Sequence, residues 1–184
     1  VLEVEVKYRV PDPAALRARV EAVAAPAEER ADEDHYHAAP DRDFARTDEA
    51  VRLRRVGDRN YLTYKGPKRE AATKTRPEVE IPLGDGPAVA ADALRFLAGL
   101  GYRPVAVVRK SRRVYTLDRG GFPVTVSLDE VAGVGHFAEV EVVTDESRFE
   151  AARAVVLGLA AELGLADQER RSYLELVLAA GRAG

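Results

Sequence analysis

Cysteine is absent from all 184 residues, which excludes a disulfide framework, a thiolate metal site and a cysteine nucleophile, and fits a reducing compartment. No stretch approaches the roughly 18 apolar residues that cross a membrane as a helix, and the opening VLEVEVKYRV lacks the basic and apolar segments of a secretory signal. Charge of one sign is not in excess. Lys and Arg number 28 against 31 Asp and Glu, a net charge of -3, so whole-chain attraction to nucleic acid or an anionic membrane is not expected. Repeats, low-complexity runs and Gly/Ser or Pro-rich linkers are also missing, and residues 1–184 read as a single domain. These absences predict a soluble, cytoplasmic protein.

What is present alternates. Val4, Val6 and Tyr8 share one face of an opening strand, with Glu3, Glu5 and Lys7 on the other. Asp12 before Pro13 starts a helix carrying Leu16, Val20 and Val23, expected to end near Pro26. Further strands are predicted over Asp34 to His37, Ala50 to Val56, Tyr61 to Lys65, Arg76 to Leu83, Tyr102 to Leu117, Phe122 to Asp129 and His136 to Val143. Gly57-Asp58-Arg59-Asn60 and Gly120-Gly121 read as turns, and Gly66 to Thr73 as a polar loop. Helices are expected from Pro87 to Leu100, from Ser147 with a capping box to Glu150, and from Asp167. The fold class is α+β.

The polar face of strand after strand is charged at period two: Glu3, Glu5, Lys7; Arg52, Arg54; Lys74, Arg76, Glu78, Glu80; Lys110, Arg112; Glu139, Glu141; with Lys65 and Asp129 ending two more. Their neighbours Val4, Val6, Val51, Leu53, Val79, Ile81, Val140 and Val142 are apolar and form the face the helices are expected to cover. On an open sheet the charged face would simply be solvated. About eight strands suffice to close a barrel, however, and closure turns that face inward. Eight bases and seven acids in such a lumen need water, internal ion pairs and a charged ligand. Arg and Lys suit phosphate oxygens, and carboxylates beside them suit Mg²⁺ or Mn²⁺ bridging to phosphates. The inferred ligand is a metal-bound polyphosphate.

Other candidates have plainer readings. His35 and His37 form an H-x-H pair with only His136 as a third imidazole, short of a zinc site. Gly66-Pro67 lacks phosphate-loop spacing. Alternation splits Arg109 to Arg113 between two faces, which argues against a nucleic-acid patch, and Tyr173 is read as core.

The triplet Glu3-x-Glu5-x-Lys7 is joined in order by RDFARTDEAVRLR (42–54), LTYKGPK (62–68), TKTRPEVE (73–80), Lys110-x-Arg112 and LDEVAGVGHFAEVE (128–141). Together they resemble the CYTH superfamily of triphosphate tunnel enzymes, in wording closest to its class IV adenylate cyclase branch. The resemblance implies an eight-stranded antiparallel tunnel with external helices, binding ATP or another triphosphate with Mg²⁺ or Mn²⁺. It implies Glu3, Glu5, Glu139 and Glu141 as metal ligands, and Lys7, Arg52, Arg54, Lys65, Arg76, Lys110 and Arg112 as phosphate ligands. Glu5, Lys7 and Asp129 are the catalytic candidates. The sequence departs from the family pattern where Asp32 replaces a glutamine and His37 an aromatic. An adenylate cyclase is the leading expectation, a metal-dependent triphosphatase the alternative and a non-catalytic polyphosphate-binding module the third; oligomeric state is left open, a homodimer included.

Overall fold

A computed structural model describes residues 2–67 and 76–181. Eight strands close into an all-antiparallel barrel. They are β1 (Leu2–Arg9), β2 (Ala25–Ala38), β3 (Ala50–Val56), β4 (Arg59–Lys65), β5 (Arg76–Asp85), β6 (Arg103–Arg119), β7 (Phe122–Val131) and β8 (Gly135–Thr144). Their order around the barrel is β1-β5-β4-β3-β2-β6-β7-β8. The β1–β5 seam is short, pairing Leu2 with Pro77 and Glu3 with Arg76; Pro77 has no N–H to give the ladder. Lys74, and the expected Gly66 to Thr73 loop from residue 68 onward, lie outside the described residues.

The helices are α1 (Pro13–Glu21), the one-turn α2 (Phe44–Thr47), α3 (Pro87–Gly99), α4 (Phe149–Glu162) and α5 (Tyr173–Gly181). Three apolar clusters fasten them to the outside of the barrel. Leu16 and Val20 of α1 and Val156 and Leu159 of α4 pack on Val4, Val6, Val126, Val140 and Val142. Leu176 of α5 joins Val108, Val131 and Phe137, and Leu97 of α3 joins Phe44 and Val51. Each such side chain contributes about 1.5–3 kcal/mol by leaving water, so the helices are held by the apolar face while the charged face is committed to the interior. No helix among the described residues is long and apolar enough to cross a membrane.

Several boundaries differ from the sequence expectation. Helix α1 ends at Glu21, and Val23 is exposed beyond it. Strand β2 begins at Ala25, nine residues before the expected Asp34, because it pairs along its length with β6 from Ala25↔Thr116 to Ala38↔Arg103. Arg59 and Asn60 belong to β4, so the hairpin turn shrinks to Gly57-Asp58, with Gly57 at φ 58° where a side chain would be strained. Val79 and Ile81 remain half exposed; α3 buries Leu97 against Val51 and does not cover them. The capping box lies at Ser172 and Glu175, each side chain accepting the other's backbone N–H. Ser147 instead bonds Asp145, whose carboxylate caps the turn before α4.

Candidate active site

Closure directs one face of every strand into a cavity of about 1180 Å³. Within the barrel its charged lining includes Glu3, Glu5 and Lys7 from β1, Arg30 from β2, Arg52 and Arg54 from β3, and Lys65 from β4. Arg76, Glu78 and Glu80 come from β5, Lys110 and Arg112 from β6, and Glu139 and Glu141 from β8. All the expected metal and phosphate side chains therefore reach one space. Asp129, expected as a catalytic residue, does not line it: it lies on the same inward face of β7 as Thr125 and Ser127 but is buried under Arg112.

The acids gather at one sector. Carboxylate oxygens of Glu3, Glu5 and Glu141 lie within 4.8 Å of one another, the one such group of three among the described residues. Glu5 and Glu141 are direct cross-strand partners. Burial, then the neighbouring Glu3 and Glu5, push the Glu141 carboxyl up to about 8 against the pull of Lys65. Burial likewise raises Glu3, although Lys65 lies 2.8 Å away and opposes it. Burial would raise Glu78 too, but a hydrogen bond with Glu3 and the charges of Lys65 and Arg52 bring it below its ordinary value. Three oxygen donors crowded within 4.8 Å of one another in a buried pocket fit a hard divalent cation. Glu139, the fourth expected ligand, stands opposite Lys7 on the ladder and bonds the Arg112 guanidinium.

Four of the bases, Arg52 and Arg54 of β3 and Lys110 and Arg112 of β6, are fixed by buried acids. Asp34 accepts two bonds from Arg54, at 2.7 and 2.8 Å, and one from Arg52 at 3.3 Å. Burial favours its neutral form, but the two guanidiniums outweigh it and hold the carboxyl far below its usual range. Asp129 accepts two bonds from Arg112, at 2.7 and 2.5 Å, and is likewise held down against burial by Arg112 and Lys110. The Lys110 ammonium sits 3.6 Å from Asp32 Oδ2 and 3.7 Å from Asp129 Oδ2. Burial, and then Arg112, push it down to about 8. Asp32, Asp34 and Asp129 do not line the cavity; they form a layer behind the cations that holds their donors toward the lumen. Arg52 Nε is buried without a hydrogen-bond partner, a donor that a ligand oxygen would satisfy.

Lys7 lines the cavity, but its ammonium donates to the Arg171 carbonyl at 2.5 Å and lies 4.0 Å from the Tyr173 ring centroid. Arg76 is buried beside Glu3 at the β1–β5 seam. His35 pairs with Glu33 at 2.7 Å, and the His37 ring bonds the His35 carbonyl. Beyond the barrel interior the cavity continues between residues 37–50 and α5, where Ala39, Pro40, Phe44, Leu174 and Leu178 line it together with the charged Asp41, Arg42, Asp43, Asp48, Glu49 and Glu175.

A tunnel of this charge distribution has relatives. The family model for the CYTH domain matches residues 2–173. The chain belongs to the CYTH family. Adenylate cyclase CyaB of Aeromonas hydrophila is 30% identical over 181 residues, covering 95% of this CYTH chain and 87% of that protein. The solved structure of PH1819 from Pyrococcus horikoshii OT3 is 36% identical with a TM-score of 0.85, covering 96% of this chain and 98% of that one. HpAC1 from Hippeastrum, described as revealing a dominant triphosphatase activity, shares the fold at 19% identity and a TM-score of 0.66, covering 96% and 95% of the two chains.

Four CYTH tunnel residues went unassigned in the sequence. Arg30 and Asp34 continue the period-two run Arg30, Asp32, Asp34, Tyr36, which becomes visible once β2 is extended back to Ala25. Glu78 shares Lys65 with Glu3. Tyr173, read as core, does pack on Phe137, but its hydroxyl also donates to Asp129 at 2.7 Å. No local signal places an α5 residue over a β7 carboxylate.

Proposed function

We propose that this CYTH chain works as one unit, a divalent-metal-dependent enzyme that closes ATP to 3′,5′-cyclic AMP and releases pyrophosphate. The observation carrying this reading is that one cavity joins a carboxylate cluster, a cation cluster and a wider mouth where apolar side chains stand among charged ones. A metal-bound triphosphate satisfies the first two, and a nucleoside fits the third.

Glu3, Glu5 and Glu141 would hold Mg²⁺ or Mn²⁺. When bound, the cation supplies charge neutralisation to the phosphates and acidity to a coordinated oxygen. Arg52, Arg54, Lys110 and Arg112 bind the β- and γ-phosphates, and Lys65 and Arg76 flank them at the acidic side. Their preset orientation fixes the triphosphate chain, so that the ribose 3′-oxygen is held in line with the α-phosphorus. The 3′-oxygen to α-phosphorus bond forms, the bond to the β-phosphate oxygen breaks, and the hydroxyl proton passes to a carboxylate of the acidic sector or to water. Asp129 acts by holding Arg112.

A triphosphatase is the second reading. The charged sectors alone accommodate a triphosphate with no nucleoside, and water then replaces the ribose oxygen as nucleophile. Phosphorus NMR of the protein with ATP, and separately with inorganic triphosphate, in Mg²⁺ and then Mn²⁺, distinguishes the two. Cyclic AMP with pyrophosphate is expected; orthophosphate as the product would replace the cyclase by the hydrolase.

A further inference from the structure

We infer that Tyr173 is a positioning residue of the triphosphate site, its hydroxyl fixing Asp129 and, through Asp129, the Arg112 and Lys110 that face the ligand. The inference rests on the proposed reading of the lumen as a triphosphate site.

The hydroxyl is not needed to hold the helix or the ring in place. Tyr173 opens α5, and that helix start is fastened without it. The Ser172–Glu175 capping box closes the first turn. Glu169 N–H donates to the Lys7 carbonyl at 2.8 Å, and Arg9 N–H to the Asp167 carbonyl at the same distance. Lys7 Nζ holds the Arg171 carbonyl. The ring is held separately, meeting Phe137 edge-on at 5.3 Å between centroids, with the Lys7 ammonium 4.0 Å and the Lys110 ammonium 5.1 Å from its own centroid. A phenylalanine would keep all of these contacts.

What remains for the hydroxyl is its 2.7 Å bond to Asp129 Oδ2. That oxygen also takes Arg112 Nη2 and faces Lys110 Nζ at 3.7 Å. Asp129 is ionised in this setting, so the phenol is the donor, and both burial and the nearby Glu139 and Asp129 charges keep its proton on. The carboxylate is thereby held from three directions, by Arg112 of β6, by Lys110 of β6 and by Tyr173 of α5. Without the third, one oxygen is left to be shared by two cations, and the Arg112 fork can rotate off its paired geometry. Bidentate guanidinium recognition depends on that geometry.

Calorimetric titration of the Mn²⁺-loaded protein with inorganic tripolyphosphate tests this, together with thermal denaturation. Tyr173→Phe is expected to lower the melting temperature by only about 3–6 °C and to keep Mn²⁺ affinity, while binding tripolyphosphate about tenfold more weakly. In an Asp129→Ala background, which has no acceptor for the hydroxyl, the same substitution is expected to cost nothing further. Unchanged tripolyphosphate affinity in Tyr173→Phe, or a lowered melting temperature with unchanged affinity, would overturn the inference while leaving the triphosphate site standing. A full tenfold loss persisting in the Asp129→Ala background would also overturn it, since Tyr173 would then act on the ligand itself. Failure of the wild-type protein to bind tripolyphosphate at all would overturn the functional reading and the inference with it.

Discussion

Glu5 of β1 and Glu141 of β8 face each other as direct partners across an antiparallel ladder, inside a closed barrel and with Glu3 beside them. Like charges directly opposite destabilise a sheet, and burial magnifies the penalty. A divalent cation turns that repulsion into attraction. Glu5→Ala is expected to abolish metal-dependent turnover and to weaken Mn²⁺ binding measured by calorimetry; unchanged rates at saturating Mg²⁺ would remove Glu5 from the metal site.

The same crowding sets a pH dependence. Glu141 is raised to about 8 in the folded, metal-free chain, well above the ordinary value of about 4.3 for an unfolded glutamate. The folded state thus binds this proton more tightly, and its contribution is fully present below about pH 4 and is lost as pH rises through 8. Thermal melts in chelator should show the wild-type protein losing stability relative to Glu141→Gln between pH 5 and 8. Saturating Mg²⁺ should reverse the sign for wild type, since the cation requires the deprotonated carboxylate. Parallel pH profiles for the two proteins in chelator would show that Glu141 is not perturbed.

Asp34 ties Arg52 and Arg54 together from behind the lumen. Removing one partner of a buried ion pair leaves uncompensated charge and costs about 3–5 kcal/mol. Asp34→Ala should therefore lower stability to chemical denaturant by that order, and tripolyphosphate should restore part of it by supplying the missing anion. A variant as stable as wild type would mean that the two guanidiniums are not held by Asp34.

Stability and site chemistry should separate at α4. Leu159 is about 1% exposed within the cluster that joins α4 to the outer face of the barrel. Leu159→Ala is expected to cost about 2–5 kcal/mol in denaturation while leaving Mn²⁺ and tripolyphosphate affinities unchanged below the melting temperature. A selective loss of ligand affinity would show that the outer packing sets the lumen geometry.

The barrel was legible because one physical pattern repeats: charge at period two in Glu3, Glu5, Lys7, in Arg52, Arg54 and in Glu139, Glu141 cannot all be solvent face once eight strands close. The start of β2 was not, since Glu28, Glu29, Arg30, Asp32 and Glu33 are charged on both faces and erase the alternation. Val79 and Ile81 alternate as a buried pair would, yet their cover depends on where α3 lands, and α3 lands on Val51. The acidic residues separated for a similar reason. Glu139 and Glu141 look equivalent in sequence, but the register sets Glu141 against Glu5 and Glu139 against Lys7, within reach of Arg112. Pairing across the barrel, invisible along the chain, decides which carboxylates gather for a cation.

We propose that one lumen holds a divalent cation on its acids and a triphosphate on its bases. The most direct test is a crystal structure with Mn²⁺ and a non-reactive ATP analogue, with the metal located by anomalous scattering. The predicted result is manganese among Glu3, Glu5 and Glu141, with phosphate oxygens on Arg52, Arg54, Lys110 and Arg112 and the nucleoside between Phe44 and α5. Manganese elsewhere, or phosphates bound outside the barrel, would contradict it.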